Sequence, residues 1–163
     1  MKKSKSLIFL MVFFTWSAGK DLEGIVRFNT ITDYTIFDVY GIPWMFFVFA
    51  FTVFSLNILT IYNLFKPQTI GFKIAFSAVG AALFQNVVTL YLALNNLDIV
   101  KEAYIVSRES RGMPIRENSL EKIFSETGMI STVAVVVVFY IVLSFFIYKN
   151  RQYLSPGNPT LDA

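Results

Sequence analysis

Residues 41–65, 74–97 and 128–148 run without a single Asp, Glu, Lys or Arg. A helix needs about 20 apolar residues to cross roughly 30 Å of hydrocarbon. Lipid offers the backbone no hydrogen bonds, so runs of this length rich in Leu, Phe, Val and Ala are accommodated as helices. A shorter apolar run, Leu7 to Ala18, follows Lys2, Lys3 and Lys5. The pattern predicts an all-α, integral membrane four-helix bundle with spans over residues 6–19, 42–65, 73–97 and 129–148. Residues 98–127 are expected to form a small helical extramembrane cap, and 150–163 a flexible tail. Residues 1–149 are thus one transmembrane domain.

The first run has a second reading. A dozen strongly apolar residues give only about 18 Å of helix at 1.5 Å per residue. Lysines, a short apolar core and then Ser17-Ala18-Gly19 also have the order of a secretory signal peptide. Retention gives four spans; cleavage before Lys20 gives three, with the rest of the topology unchanged.

Polar positions inside the runs suggest which faces pack. On the second span Thr52, Ser55, Thr60, Tyr62 and Asn63 fall within about half of the helix surface at roughly 100° per residue, with Asn57 nearer the edge. That half is expected to look inward. On the third span Ser77, Ala81, Gln85 and Thr89 recur every fourth residue beside Ala78 and Ala82. Small residues at this spacing let helices approach closely, and an amide can then bond across the contact. Asn57, Ser77, Ala81, Gln85, Asn86 and Thr89 are therefore the candidate packing seam, or alternatively the lining of a polar pocket. The last span has little polar content beyond Tyr140 and Ser144 and is expected to face lipid.

Between the third and last spans, Val100, Ala103 and Tyr104 continue an apolar stripe among solvated charges. Gly112 followed by Pro114 predicts a left-handed helix stop. Asn118-Ser119-Leu120-Glu121 resembles a capping box opening a short helix, and Gly128 offers a bend into the last span. Arg108, Arg111 and Arg116 are the candidate contacts for a partner or a lipid headgroup, since guanidinium groups suit carboxylate and phosphate. Earlier in the chain, residues 20–40 read as a polar interfacial loop with its aromatics against headgroups.

Composition narrows the chemistry. Charged residues are 15% of the 163 and hydrophobic residues 55%, where a soluble domain carries about 25% charge. The chain has no His and no Cys, which removes the usual ligands of haem, structural zinc and iron–sulfur clusters, together with thiol nucleophiles and disulfides. No cofactor and no metal site is expected, and basic residues this sparse do not suggest nucleic-acid binding.

The 14 basic residues divide evenly between the two sides of the predicted bundle. The amino-terminal lysines and the acid-free turn from Lys66 to Lys73 then favour cytoplasmic termini in a plasma or inner membrane. Trp16 and Trp44 would both lie at the outer interface.

The function expected from these features is that of a non-enzymatic accessory or scaffold subunit, with the lipid bilayer and a membrane protein, or further copies of itself, as partners. The alternative is an oligomeric small-solute transporter or channel, for which Asn57, Gln85 and Asn86 would face a hydrated cavity. A third reading, an intramembrane enzyme, requires two of Asp33, Asp38 and Glu117 to converge.

Overall fold

The computed structural model describes residues 4–115 and 117–157. Every regular element among them is helical: α1 (Lys5–Val26), a 3-10 turn (Phe28–Thr30), α2 (Thr32–Val39), α3 (Pro43–Phe65), α4 (Gly71–Leu94), α5 (Leu97–Ser110), α6 (Glu117–Ile123), α7 (Glu126–Lys149) and α8 (Arg151–Leu154). Three of these, α3, α4 and α7, are long and apolar enough to cross a membrane. They match the three uncharged runs, with Pro43 opening α3 where its missing N–H costs no bond.

α1 is longer than its apolar core suggested. It begins at Ser4, whose hydroxyl accepts from the Leu7 N–H at 3.3 Å, and passes unbroken through Ser17-Ala18-Gly19 and the charged residues beyond. One side explains this: Leu7, Leu10, Phe14 and Ala18 recur every three or four residues and are buried. The charges ride on the helix beside that stripe, with Lys20 and Glu23 paired at 2.7 Å. The loop expected over residues 20–40 is therefore mostly helical. Its aromatics turn inward, with Phe37 fully buried and Phe28 and Tyr34 packed edge-on to Phe47 and Phe46.

At the end carrying the chain termini, Leu7, Leu10 and Phe14 of α1 meet Leu64, Ala75, Ala78, Val79, Leu143 and Ile147 in one apolar cluster. Leu154 of α8 closes it. The tail expected to be flexible from residue 150 is thus docked in its first part. Asn150 donates to the Ser6 hydroxyl at 3.0 Å, the Tyr153 hydroxyl donates to the Leu64 carbonyl at 2.9 Å, and the Ser155 hydroxyl accepts from the Phe72 N–H at 3.1 Å. That last bond caps the first turn of α4 from a distant part of the chain. Residues 158–163 lie outside the described residues.

Two expectations about faces change. On α3 the buried stripe is Phe46, Ala50, Val53, Asn57, Thr60 and Asn63, while Thr52, Ser55 and Tyr62 are exposed. Asn57 sits at the centre of the contact because helical packing follows three- and four-residue steps, and lipid tolerates exposed Thr, Ser and Tyr on the other side. Trp16 is also misplaced by the linear reading. Ser17 hydrogen-bonds Asn57, about 21 Å along α3 from Pro43 at 1.5 Å per residue, so Trp16 lies near that level and well below Trp44.

The segment joining α4 to α7 is helical in two pieces, α5 and α6. α4 breaks at Asn95-Asn96 before α5 begins, and α5 ends with Gly112 at φ +63°, the left-handed stop that the Gly and Pro spacing implied. α6 starts at Glu117, one residue before the expected capping box, whose Asn118 and Ser119 side chains are outside the described residues. Gly128 is no bend. It lies in the first turn of α7, where a Cβ would come within 2.6 Å of the Ile123 carbonyl oxygen, so its role is close approach. The buried residues of α7 are Leu143 and Ile147.

Candidate functional site

A concavity of about 220 Å³ is bounded by α2, α5 and the facing turns of α4 and α7. Asp33 and Ile36 reach it from α2, Asn86, Thr89 and Ala93 from α4, Tyr104 from α5, and Met129 and Thr132 from α7. At the termini end α4 and α7 meet through Ala75, Ala78, Leu143 and Ile147. Ile36, Ala93 and Val100, with Phe124 and Met129 beside them, form the apolar wall.

Asp33 gives the cavity its chemistry. It stands in the first turn of α2 and makes no hydrogen bond or ion pair with any described residue. Burial pushes its carboxyl above the ordinary aspartate range. Thr89 adds a second unmatched group, since its hydroxyl is buried without a hydrogen-bond partner among the described residues. Asn86 donates to the Ala82 carbonyl at 2.7 Å, which steadies its amide at the cavity wall.

A stability signature follows from Asp33. Its folded pKa is raised above the unfolded value of about 3.9, so the folded state holds the proton more tightly. Stability is therefore greatest below that value and falls as pH rises through the raised pKa. Tyr104 is the other titratable group on the wall. Thermal denaturation between about pH 4 and 8 should show a steeper fall in the native chain than in Asp33→Asn, where burial still raises the Asp21 carboxyl; the variant should be the more stable protein at pH 7. Parallel curves for the two proteins would remove Asp33 as the cause.

A second polar cluster lies between α1 and α3. Asn57, only 3% exposed, donates to Asp21 Oδ2 at 2.7 Å and to Ser17 Oγ at 3.0 Å. A void of about 10 Å³ adjoins Asn57, Ser17 and Tyr140, the scale at which one water fits. Asp21 was not legible as a partner because it follows the apolar run, and only the continuation of α1 brings it beside Asn57. An acid three to four residues beyond Ser17, on the same helix face, was the available signal.

The candidate seam on α4 divides. Ser77 is exposed, Ala81 and Gln85 are half-buried, and Thr89 reaches the cavity. Four residues advance a helix by about 400°, so each step drifts about 40° and three steps about 120°. A strict every-fourth row therefore winds from the outer surface at Ser77 to the interior at Thr89. The closest packing on α4 uses the neighbouring positions Gly71, Ala75, Ala78 and Val79. Gln85 makes no hydrogen bond with any described residue.

The arginines are partly committed within the chain. Arg108 donates to the Pro114 carbonyl at 3.1 Å and to the Tyr104 hydroxyl at 3.0 Å, and stacks over that ring. Arg111 donates to the Ser107 carbonyl and hydroxyl at 3.0 and 2.6 Å while remaining exposed. Arg116 and the Glu117 side chain lie outside the described residues. Asp38 is exposed and is not among the residues lining the cavity that holds Asp33, so this pair of carboxylates does not converge. Among the described residues no three acidic side chains gather into a set able to ligate a metal ion.

No protein family, curated protein or solved structure matches this chain.

Proposed function

We propose that the chain is a four-span membrane protein with both termini cytoplasmic, serving as a non-enzymatic accessory subunit that docks on another membrane protein through α4. The observation that carries this reading is the Gln85 amide. It lies about 21 Å along α4 from Gly71 and has no hydrogen-bond partner among the described residues. An unmatched amide in hydrocarbon costs several kcal/mol. A second helix laid against exposed Ser77 would pass about 80° around α4 from Gln85, within reach of that long side chain, and bond it, as small residues and amides do in membranes.

α1 is the fourth span in this reading. Its buried Leu7, Leu10 and Phe14 are part of the bundle core, which favours retention over cleavage before Lys20. Lys66, Lys73, Lys149 and Arg151 gather at the same end as Lys5, consistent with a cytoplasmic face in a plasma or inner membrane. α5 and α6, with their solvated charges, form the extramembrane cap on the other side, where Arg111 remains open to a partner or a lipid phosphate.

Transport is the second reading, favoured by the cavity at Asn86 and Thr89. Against it stands the apolar plug at the termini end, where Phe14, Leu64, Val79 and Leu143 leave a single chain no polar route through.

The chain's lack of cysteine makes the test direct. Ser77→Cys and Gln85→Cys should each cross-link the full-length protein in native membranes to a foreign polypeptide, while Ile141→Cys on the exposed side of α7 should not. Cross-links confined to copies of the chain would overturn the accessory reading in favour of an oligomeric transporter. No cross-link at either α4 position would overturn docking through α4.

A further inference from the structure

We propose that the cavity between α2, α4, α5 and α7 is a binding site for a small organic ammonium ion, with Asp33 as its counter-ion. The inference stands apart from docking through α4, since the cavity lies within one chain.

Three features define the ligand. The first is charge. Asp33 is half-buried in an open concavity with no cation or donor among the described residues, and a partly desolvated carboxylate gains from a matching charge. The amino terminus of α2 supplies about half a positive charge, which leaves the cavity negative. Arg108 ends on the Tyr104 hydroxyl and the Pro114 carbonyl and is not among the lining residues.

The second feature is the wall. Tyr104, Phe124, Met129, Val100 and Leu90 offer aromatic and aliphatic surface around the single acid. A hydrated inorganic cation gains little from such a wall, whereas an amine with an apolar body buries that body there.

Size is the third. About 220 Å³ corresponds to roughly seven waters at about 30 Å³ each, so the site suits a solute with a similar number of heavy atoms. The same ammonium chemistry is carried by soluble monoamines and by the headgroup of an ethanolamine lipid. The sources are separable by experiment.

The test uses the full-length chain in detergent, with benzylammonium as the probe and benzyl alcohol as its uncharged isostere. Benzylammonium should raise Tm by about 5–10 °C at roughly 100 times its Kd. Benzyl alcohol should not, and Asp33→Asn should lose the benzylammonium shift. That variant removes a desolvated charge and should fold at least as well as the native chain, so lost binding would not reflect lost folding. Vesicles of phosphatidylglycerol with and without phosphatidylethanolamine supply the second arm. A shift that depends on Asp33 and appears only with the ethanolamine lipid assigns the site to a lipid headgroup; one produced by benzylammonium assigns it to a soluble amine. Equal shifts from benzyl alcohol, shifts retained in Asp33→Asn, stabilisation by sodium chloride alone, or no shift in either arm would each overturn the proposal.

Discussion

Gly71→Ala should be among the most destabilising single-atom additions to this chain, while the same substitution at Gly80 should stabilise it. At Gly71 a Cβ would meet the Leu154 carbonyl oxygen at 2.3 Å and Asn63 Oδ1 at 3.0 Å. The first obstacle is backbone and cannot rotate away, so α8 must leave or the start of α4 must shift. Overpacking of this kind costs about 1–3 kcal/mol. Displacing α8 would add the loss of the Ser155–Phe72 and Tyr153–Leu64 bonds, each about 0.5–1.5 kcal/mol. Gly80 has no atom within 4 Å of the added position, so alanine there gains roughly 0.5–1 kcal/mol from helix propensity alone. Thermal unfolding in detergent gives the two signs, and limited proteolysis after residue 150 reports whether α8 has come away. A Gly71→Ala protein that melts with the native chain and keeps its tail protected would refute the docking of α8 on α4.

Asn57→Leu should be the second large loss. It removes both donated bonds, one of them to a carboxylate, and hydrogen bonds to charged groups contribute about 1.5–3 kcal/mol. It also leaves Asp21 beside α3 with no donor from that helix. Asp21→Leu combined with Asn57→Leu should be more stable than Asn57→Leu alone, because replacing both partners of a buried polar pair by apolar groups removes the unmatched charge. The double-mutant cycle yields this coupling directly. Strict additivity would mean that Asp21 and Asn57 act independently, and would detach the charged end of α1 from the bundle.

Much of the architecture was visible in the pattern alone, for a physical reason. Hydrocarbon penalises every charge and every open backbone group, so three uncharged runs of membrane-crossing length name three helices before any packing is considered. Local geometry was equally readable. The Gly112 stop depends on one left-handed residue, and Pro43 at the start of α3 depends on one missing N–H.

Failures arose where a face had to be chosen. Lipid accepts Thr52, Ser55, Tyr62 and Ser77 on the exposed surface almost as readily as a protein interior does, so polarity no longer says which side is in. The inward stripe of α3 is marked instead by the three- and four-residue spacing of Ala50, Val53, Asn57 and Thr60. On α4 the every-fourth row looked like a face but drifts about 40° at each step, enough to put Ser77 outside and Thr89 at the cavity.

Of the candidate site, Asn86 and Thr89 were legible as a possible polar pocket, and Asp33 was weighed only as an acid in search of a second one. Its importance comes from having no partner, which no linear pattern can express. The sequence by itself determined that this chain is helical, that α3, α4 and α7 can cross a membrane, and that thiol and imidazole chemistry is closed to it. Tertiary structure alone decided that α1 carries Asp21 to Asn57, that residues 150–155 seal the termini end, and that Asp33 stands in a cavity with no partner among the described residues. Those outcomes depend on distances between residues far apart in the chain, which only the packing of the helices against one another sets.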